Sequence, residues 1–258
     1  MTQEQMNILV PEKLREIERE QHIEVLLAVE SGSRAWGFAS PDSDFDVRFI
    51  YRRRQEDYLR LDGMRDVIEL PIDDTWDVNG WDIDKTLKLL YKSNPTLFEW
   101  INSPICYCRT DFCDRIMPLM EEYFSEKKML HHYMNMAHNN ERTYFRGTTV
   151  NHKKYFYVLR PVLACLWVME RKSAPPVLFS ELVDAVLPKE LAGSVERLLD
   201  LKMNGPEKKE IERIPDIDLF LEQTIARIDA YMSQHEEGKE VSWEPINRFF
   251  LSEISRQN

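Results

Sequence analysis

The chain has 258 residues and a formal net charge of −11, with 31% charged and 43% hydrophobic residues and only eight glycines. That length buries a sizeable core as one large or two small domains, and the composition argues for much helix and little disorder. The acidic balance disfavours indiscriminate binding to a polyanion while leaving room for a local basic groove, and no apolar run approaches the ~20 residues of a membrane span.

Taken in chain order, Pro11, Glu12, Leu14 and Ile17 predict an amphipathic first helix with Pro11 in its first turn, laid over a sheet. The apolar run from Ile23 to Val29 predicts a strand. Gly32-Ser33 predicts a tight turn, Gly37 and Pro41 a loop, and Asp44-Phe45-Asp46 an entry into a second strand through Val47, Phe49 and Ile50. Residues 55–62 read as polar and partly helical, 66–70 as a third strand ended by Pro71, Asp73-Asp74 as a turn, and 76–81 as a fourth strand. Asp82 then predicts the N-cap of a helix carrying Ile83, Leu87, Leu90 and Tyr91 to about Ser93, and Asn94-Pro95 starts another through Ile101. Residues 105–108 alternate like an edge strand.

Beyond that point the pattern is helical: 125–145, 152–170, 180–187, 189–203, 217–234 and 244–255, separated by Ala174-Pro175-Pro176, by Pro188, by the charged segment 204–209 and by 236–239. The chain therefore reads as α+β, with a sheet-bearing domain over 1–110 and a helical domain over 111–258. The opening residues lack the basic then apolar order of a signal peptide, which predicts a cytoplasmic protein. Cys106, Cys108, Cys113 and Cys165 form no Cys-x-x-Cys pair and have no histidine at zinc spacing, so they read as reduced, largely buried thiols. His131, His132, His138 and His152 likewise form no metal-binding pattern.

Strand side chains alternate, so Asp44 and Asp46 point one way while Phe45, Val47 and Phe49 point the other. Two adjacent carboxylates on a core-anchored strand make sense with a divalent cation between them, and oxygen-only ligands suit Mg2+ or Mn2+. Gly32 and Ser33 can bring backbone N–H groups and a hydroxyl to a phosphate. The run from Gly32 to Arg48, with Gly-Ser eleven residues ahead of Asp-x-Asp and strands on both sides, resembles the signature of the DNA polymerase β-like nucleotidyltransferase superfamily. Its wider wording is similar to a bacterial and phage branch related to RNA-repair-associated polymerase β-like proteins, as is the stretch 80–100.

The resemblance implies a nucleotidyltransferase catalytic domain over 1–110, a helical domain over 111–258 that completes the nucleotide cleft, and Mg2+- or Mn2+-dependent transfer from a nucleoside triphosphate such as ATP. Asp44 and Asp46 would bridge two ions, and a third carboxylate would serve the acceptor hydroxyl. Asp77 is the choice for that role, with Glu69 and Asp82 as rivals and Asp82 also readable as a plain N-cap. Gly32 and Ser33 would contact the β- and γ-phosphates. Arg34 could add charge there or pair with Glu30 or a loop aspartate, and Arg48 could orient a carboxylate or the acceptor. In the helical half, Lys153, Tyr157, Arg160 and Ala164 share a stripe that could serve the triphosphate, and only one of Lys153 and Lys154 can face it. Arg52-Arg53-Arg54 and Lys127-Lys128 read as solvated faces. Trp76, Trp81, Trp100 and Trp167 read as core, and Trp36 as core or cleft-lining. An RNA 3′ hydroxyl is the expected acceptor, with Arg142, Arg146, Lys153, Lys154 and Arg160 as its basic contacts. Transfer to protein or a small molecule, a catalytically inactive nucleotide sensor, and a chiefly structural partner protein stand as alternatives.

Overall fold

A computed structural model describes residues 1–71, 76–205, 209–234 and 241–256. The expected turn at Asp73-Asp74, half of the separator at 204–209 and the one at 236–239 lie outside the described residues. Contacts divide the chain into two compact units. The first contains Met1–Ala35, Asp44–Tyr123 and Glu240–Asn258, and the second contains Trp36–Ser43 and Phe124–Lys239.

The first unit is a five-stranded mixed sheet with helices on both faces. Its strands are β1 (Glu24–Glu30), β2 (Phe45–Arg52), β3 (Val67–Glu69), β4 (Trp76–Asp82) and β5 (Cys106–Arg109), in the order β3-β4-β2-β1-β5. Only the β2–β4 pair is parallel. One face is covered by α1 (Gln3–Gln21), whose buried stripe Met6, Val10, Leu14 and Ile17 joins Phe45, Val47, Phe49 and Tyr51 in one apolar cluster. Each such side chain contributes about 1.5–3 kcal/mol on burial. A one-residue slip of β2 would turn that set outward and drive Asp46 and Arg48 into the core, so burial of one face fixes where the other face carries its charges.

Helix α1 begins eight residues before Pro11, because Thr2 and Gln5 form a reciprocal capping box. Pro11 is thus inside the helix and not in its first turn. The one-turn helices α2 (Gly32–Ala35) and α3 (Gln55–Tyr58) follow β1 and β2. Helices α4 (Ile83–Tyr91), α5 (Pro95–Ile101), α6 (Phe112–Glu122) and, from the far end of the chain, α12 (Glu244–Ile254) complete the unit. Asp82 caps α4 by accepting from Asp84 N at 3.0 Å, and Asn94 caps α5.

A single boundary near residue 110 does not describe this division. Phe112, Cys113 and Ile116 of α6 are buried and α6 packs on β1, while α12 packs on α4. Glu253 of α12 is fully buried between Arg52 and Arg115. Arg52 and Arg53 are accordingly buried and ion-paired, which corrects their reading as a solvated face, and Arg54 alone of the three is exposed.

The second unit is built around α8 (His152–Arg171), thirteen of whose residues are buried, with α7 (Glu126–Tyr144), α9 (Phe179–Val186), α10 (Ala192–Asn204) and α11 (Pro215–Gln234) against it. The short strands β6 (Thr149–Asn151) and β7 (Glu210–Glu212) pair antiparallel, and a 3-10 turn, Lys189–Leu191, precedes α10. Phe38 enters this core, its ring 4.8 Å from Phe156 and 5.4 Å from Phe179. Trp100 is the buried one of the tryptophans named above; Trp36, Trp76, Trp81 and Trp167 are partly exposed. Cys113 and Cys165 are buried thiols, whereas Cys106 is exposed and Cys108 half-buried. Among the described residues no helix is long and apolar enough to cross a membrane.

Candidate active site

Parallel pairing of β2 with β4 sets Asp46 opposite Asp77 and Arg48 opposite Asn79, all half-buried on the sheet face away from α1. Arg48 lies between the two carboxylates: Nη2 donates to Asp46 Oδ1 at 3.0 Å and to Asp77 Oδ2 at 2.8 Å. Its Nη1 donates to the Asp77 carbonyl at 2.9 Å. Asp44 stands one residue before the strand and is exposed, so the expected pair on one strand is instead a strand carboxylate and a loop carboxylate. Burial pushes the Asp46 carboxyl above its ordinary range, Arg48 pulls it back, and the negative charges of Asp77 and Asp44 push it further up.

Gly32 turns with φ at 60°, and a Cβ there would overlap Asp46 Oδ2 and stand 3.1 Å from its Cγ. The glycine is required twice over, for the left-handed backbone and for the approach of the Gly-Ser turn to the carboxylate. Ser31 N donates to the Asp46 carbonyl at 2.9 Å, which ties the turn to the second strand. Arg34 donates from Nε to the Asp44 carbonyl at 3.1 Å and lays its guanidinium over Phe45, 3.6 Å from the ring centre. Of the first-unit residues singled out, Gly32, Asp46, Asp77 and Arg48 therefore come together, and Ser33, Arg34 and Asp44 flank them.

The rivals to Asp77 have other partners. Glu69 is exposed, ion-paired with Arg65, and accepts from Asn79 Nδ2 at 3.3 Å. Asp82 is buried at the other end of β4, where it caps α4, accepts from Tyr58 Oη at 2.9 Å and pairs with Arg53 at 3.2 Å. Burial outweighs these partners and pushes its carboxyl up to about 6.

In the second unit the stripe on α8 divides. Tyr157 is 37% exposed, whereas Arg160 is buried with its guanidinium 4.4 Å from the Trp36 ring centre. Lys153 is half-buried, and Lys154 places Nζ 4.3 Å from the Tyr144 ring centre and 4.6 Å from that of Tyr157.

Two further residues support the site: Glu30, expected only as a possible partner of Arg34, and Tyr107, for which the sequence suggests no role. Glu30 is fully buried and accepts from Asp46 N at 2.7 Å, and Tyr107 Oη donates to the same carboxyl at 2.5 Å. Burial pushes the Glu30 carboxyl up to about 7. The available signal was an acid closing the apolar run 25–29, two residues before Gly32.

The donor set fits a hard divalent cation in kind, being carboxylate oxygens, with Asp46 opposite Asp77 and Asp44 beside them. Among the described residues, no three Cys, His, Asp or Glu side chains converge as a ready-made metal cage. A cation shared by Asp46 and Asp77 would compete with Arg48 for their oxygens.

A family model described as RlaP, RNA repair pathway DNA polymerase beta family, matches residues 6–252. The Uncharacterized protein YcgL of Bacillus subtilis (strain 168) is 42% identical over 246 residues, which are 94% of each chain. A nucleotidyltransferase-like protein from Exiguobacterium sibiricum 255-15 of known crystal structure is 12% identical and covers 95% of this chain and 79% of its own. Its TM-score of 0.31 is too low for that likeness to bear on the site.

Proposed function

Because the chain belongs to the RNA repair pathway DNA polymerase beta family, we propose that it is a nucleotidyltransferase that moves a nucleoside monophosphate from a nucleoside triphosphate to an acceptor hydroxyl. The observation that carries this reading is the parallel register that sets Asp77 against Asp46 beside the Gly32 turn. Asp44, Asp46 and Asp77 would hold Mg2+ or Mn2+, which when bound supplies neutralisation of phosphate charge and acidification of the acceptor hydroxyl. The backbone of Gly32 and the hydroxyl of Ser33 would bind the β- and γ-phosphates, and Arg34 would add charge there. Asp77 would orient the acceptor and take its proton on a carboxylate oxygen. Arg48 would hold Asp46 and Asp77 in register through its two carboxylate hydrogen bonds. Lys153, Tyr157 and Arg160 remain the residues of the second unit proposed to serve the nucleotide.

An RNA 3′ end is the acceptor that the second unit favours. Residues 139–157 carry Arg142, Arg146, Lys153 and Lys154 against one acid, Glu141, in a chain of net charge −11. Tyr144 and Tyr157 flank Lys154 and offer rings on which unpaired bases stack. Four cations imply a salt slope of only about −3 for a single strand. The bridge from Arg48 to both carboxylates is what favours the second reading, a nucleotide-binding sensor without turnover.

The test is incubation of the protein and Mg2+ with each labelled triphosphate and with total RNA, protein and small-molecule fractions in turn. Label on RNA 3′ ends supports the proposal. Label only in protein or in a small molecule refutes the RNA acceptor, and triphosphate binding without pyrophosphate release favours the sensor.

A further inference from the structure

A carboxyl group in a protein interior carries a large desolvation cost, so its retention calls for a task an apolar side chain cannot do. Glu30 is such a group. It is fully buried at the last position of β1. Its own backbone is fixed on both sides, with N donating to the Ile105 carbonyl at 3.0 Å and its carbonyl accepting from Ser103 Oγ at 2.6 Å. Its side chain reaches across the end of the ladder. Oε1 accepts from the Asp46 N–H at 2.7 Å, and Oε2 accepts from Tyr107 Oη at 2.5 Å. Tyr107 in turn accepts from Gln3 Nε2 of α1 at 3.1 Å.

The position of Asp46 follows from this arrangement. Its carbonyl is held by Ser31 N and its amide by Glu30, so both hydrogen-bonding groups of the residue are tied to the two residues that precede Gly32. Gly32 then stands against the Asp46 carboxylate with no room for a Cβ. Backbone clamped from both sides fixes the Cα–Cβ direction of Asp46 toward the face that carries Arg48 and the opposing Asp77. An apolar residue at 30 would leave the Asp46 N–H without its acceptor, at a place where the carboxylate must be aimed.

We propose that Glu30 is a positioning residue for the transfer site: with Tyr107 it clamps the backbone of Asp46 and thereby aims that carboxylate at the cation and the Gly-Ser turn. Its role in transfer rests on the reading that Asp46 holds a divalent cation; the clamp itself does not. Groups that orient metal ligands from behind are worth about 10- to 100-fold in metal affinity or activity. Glutamine preserves the geometry, since its amide oxygen accepts from Asp46 N and its amide nitrogen can donate to Tyr107 Oη.

The experiment uses the full chain and four variants, Glu30→Ala, Glu30→Gln, Tyr107→Phe and Val25→Ala, the last being a buried change on the same strand that lowers stability without touching the clamp. Two quantities are read: Mn2+ affinity by direct titration, and hydrogen exchange of the Asp46 amide by NMR. Glu30→Ala is expected to weaken Mn2+ binding about 10- to 100-fold and to deprotect the Asp46 amide. Glu30→Gln is expected to restore both, and Tyr107→Phe to lose part of the protection while staying folded. Val25→Ala should leave both unchanged in the folded protein. The proposal is overturned if Glu30→Ala matches Val25→Ala in both readouts, or, should Glu30→Ala fail to fold, if Tyr107→Phe leaves the Asp46 amide as protected as in the wild type. Equal Mn2+ affinity in Asp46→Asn and wild type would sink the transferase reading, and the amide exchange alone would then decide the clamp.

Discussion

Replacing Gly32 by alanine separates two costs that the structure places at one residue. The first is conformational: at φ of 60° an L-residue is disfavoured by roughly 1–2 kcal/mol. The second is steric, because the new Cβ would overlap Asp46 Oδ2 and stand 3.1 Å from its Cγ. Relieving that overlap moves the carboxylate by roughly 1 Å, and overpacking of this kind costs about 1–3 kcal/mol. Gly32→Ala should therefore lose roughly 2–5 kcal/mol in urea unfolding. In an Asp46→Ala background the overlap is gone and only about 1–2 kcal/mol should remain. If Asp46 has the role proposed for it, displacing its carboxylate by ~1 Å should also lower transfer about 100-fold. Gly63→Ala is the control, since nothing lies within 4 Å of a Cβ at that position. An identical cost in both backgrounds, or full transfer by Gly32→Ala, would refute the argument that close approach of the turn holds Asp46 in place.

Arg48→Gln removes the cation between Asp46 and Asp77, so the Asp46 carboxyl should titrate at higher pH in an NMR titration, and Mn2+ should raise Tm more in the variant than in the wild type. Asp82→Asn keeps the cap of α4 but removes a carboxyl held at about 6 in the folded protein, above its ordinary value of 3.8. A raised acid contributes stability that is fully present below its unfolded pKa and is lost as pH rises through the folded value. The stability of the wild type relative to Asp82→Asn should accordingly fall between pH 4 and pH 7 by on the order of 3 kcal/mol, read from urea unfolding across that window. A flat difference would contradict the burial argument. Glu253→Ala leaves Arg52 without its buried partner and strips Arg115 of a 2.6 Å contact, and should cost about 3–5 kcal/mol by the same unfolding assay. A loss under 1 kcal/mol would show that α12 is not anchored through this cluster.

Features carried by local pattern were legible in the sequence. An apolar run located β1, alternation located β2, and caps located α4 and α5, because alternation, Asx caps and Asn-Pro starts act within a few residues. Features that depend on distant pairing were not. The order β3-β4-β2-β1-β5 puts β4 between β3 and β2, so the opposition of Asp77 to Asp46 is a fact of sheet topology that no spacing encodes. Strands β6 and β7 have three residues each and pair across about sixty residues of chain, too short for any periodicity to register. Arg52 and Arg53 read as solvated because their buried partners lie on other elements, Glu253 two hundred residues on for Arg52 and Asp82 at the end of β4 for Arg53. Glu30 reads in the sequence only as a possible partner of Arg34, because a charged residue at the end of an apolar run usually marks where a strand meets water, whereas here it turns inward to Asp46.

The central claim is that Asp46 and the opposing Asp77 perform transfer together, and Asp77→Asn tests it most directly. Pyrophosphate release and triphosphate affinity should be measured side by side in Asp77→Asn, Asp46→Asn, Glu69→Gln and Asp82→Asn. The account predicts that Asp77→Asn loses turnover by orders of magnitude while retaining most of its triphosphate affinity, that Asp46→Asn is inactive, and that Glu69→Gln and Asp82→Asn turn over. An active Asp77→Asn beside an inactive Glu69→Gln or Asp82→Asn would contradict it.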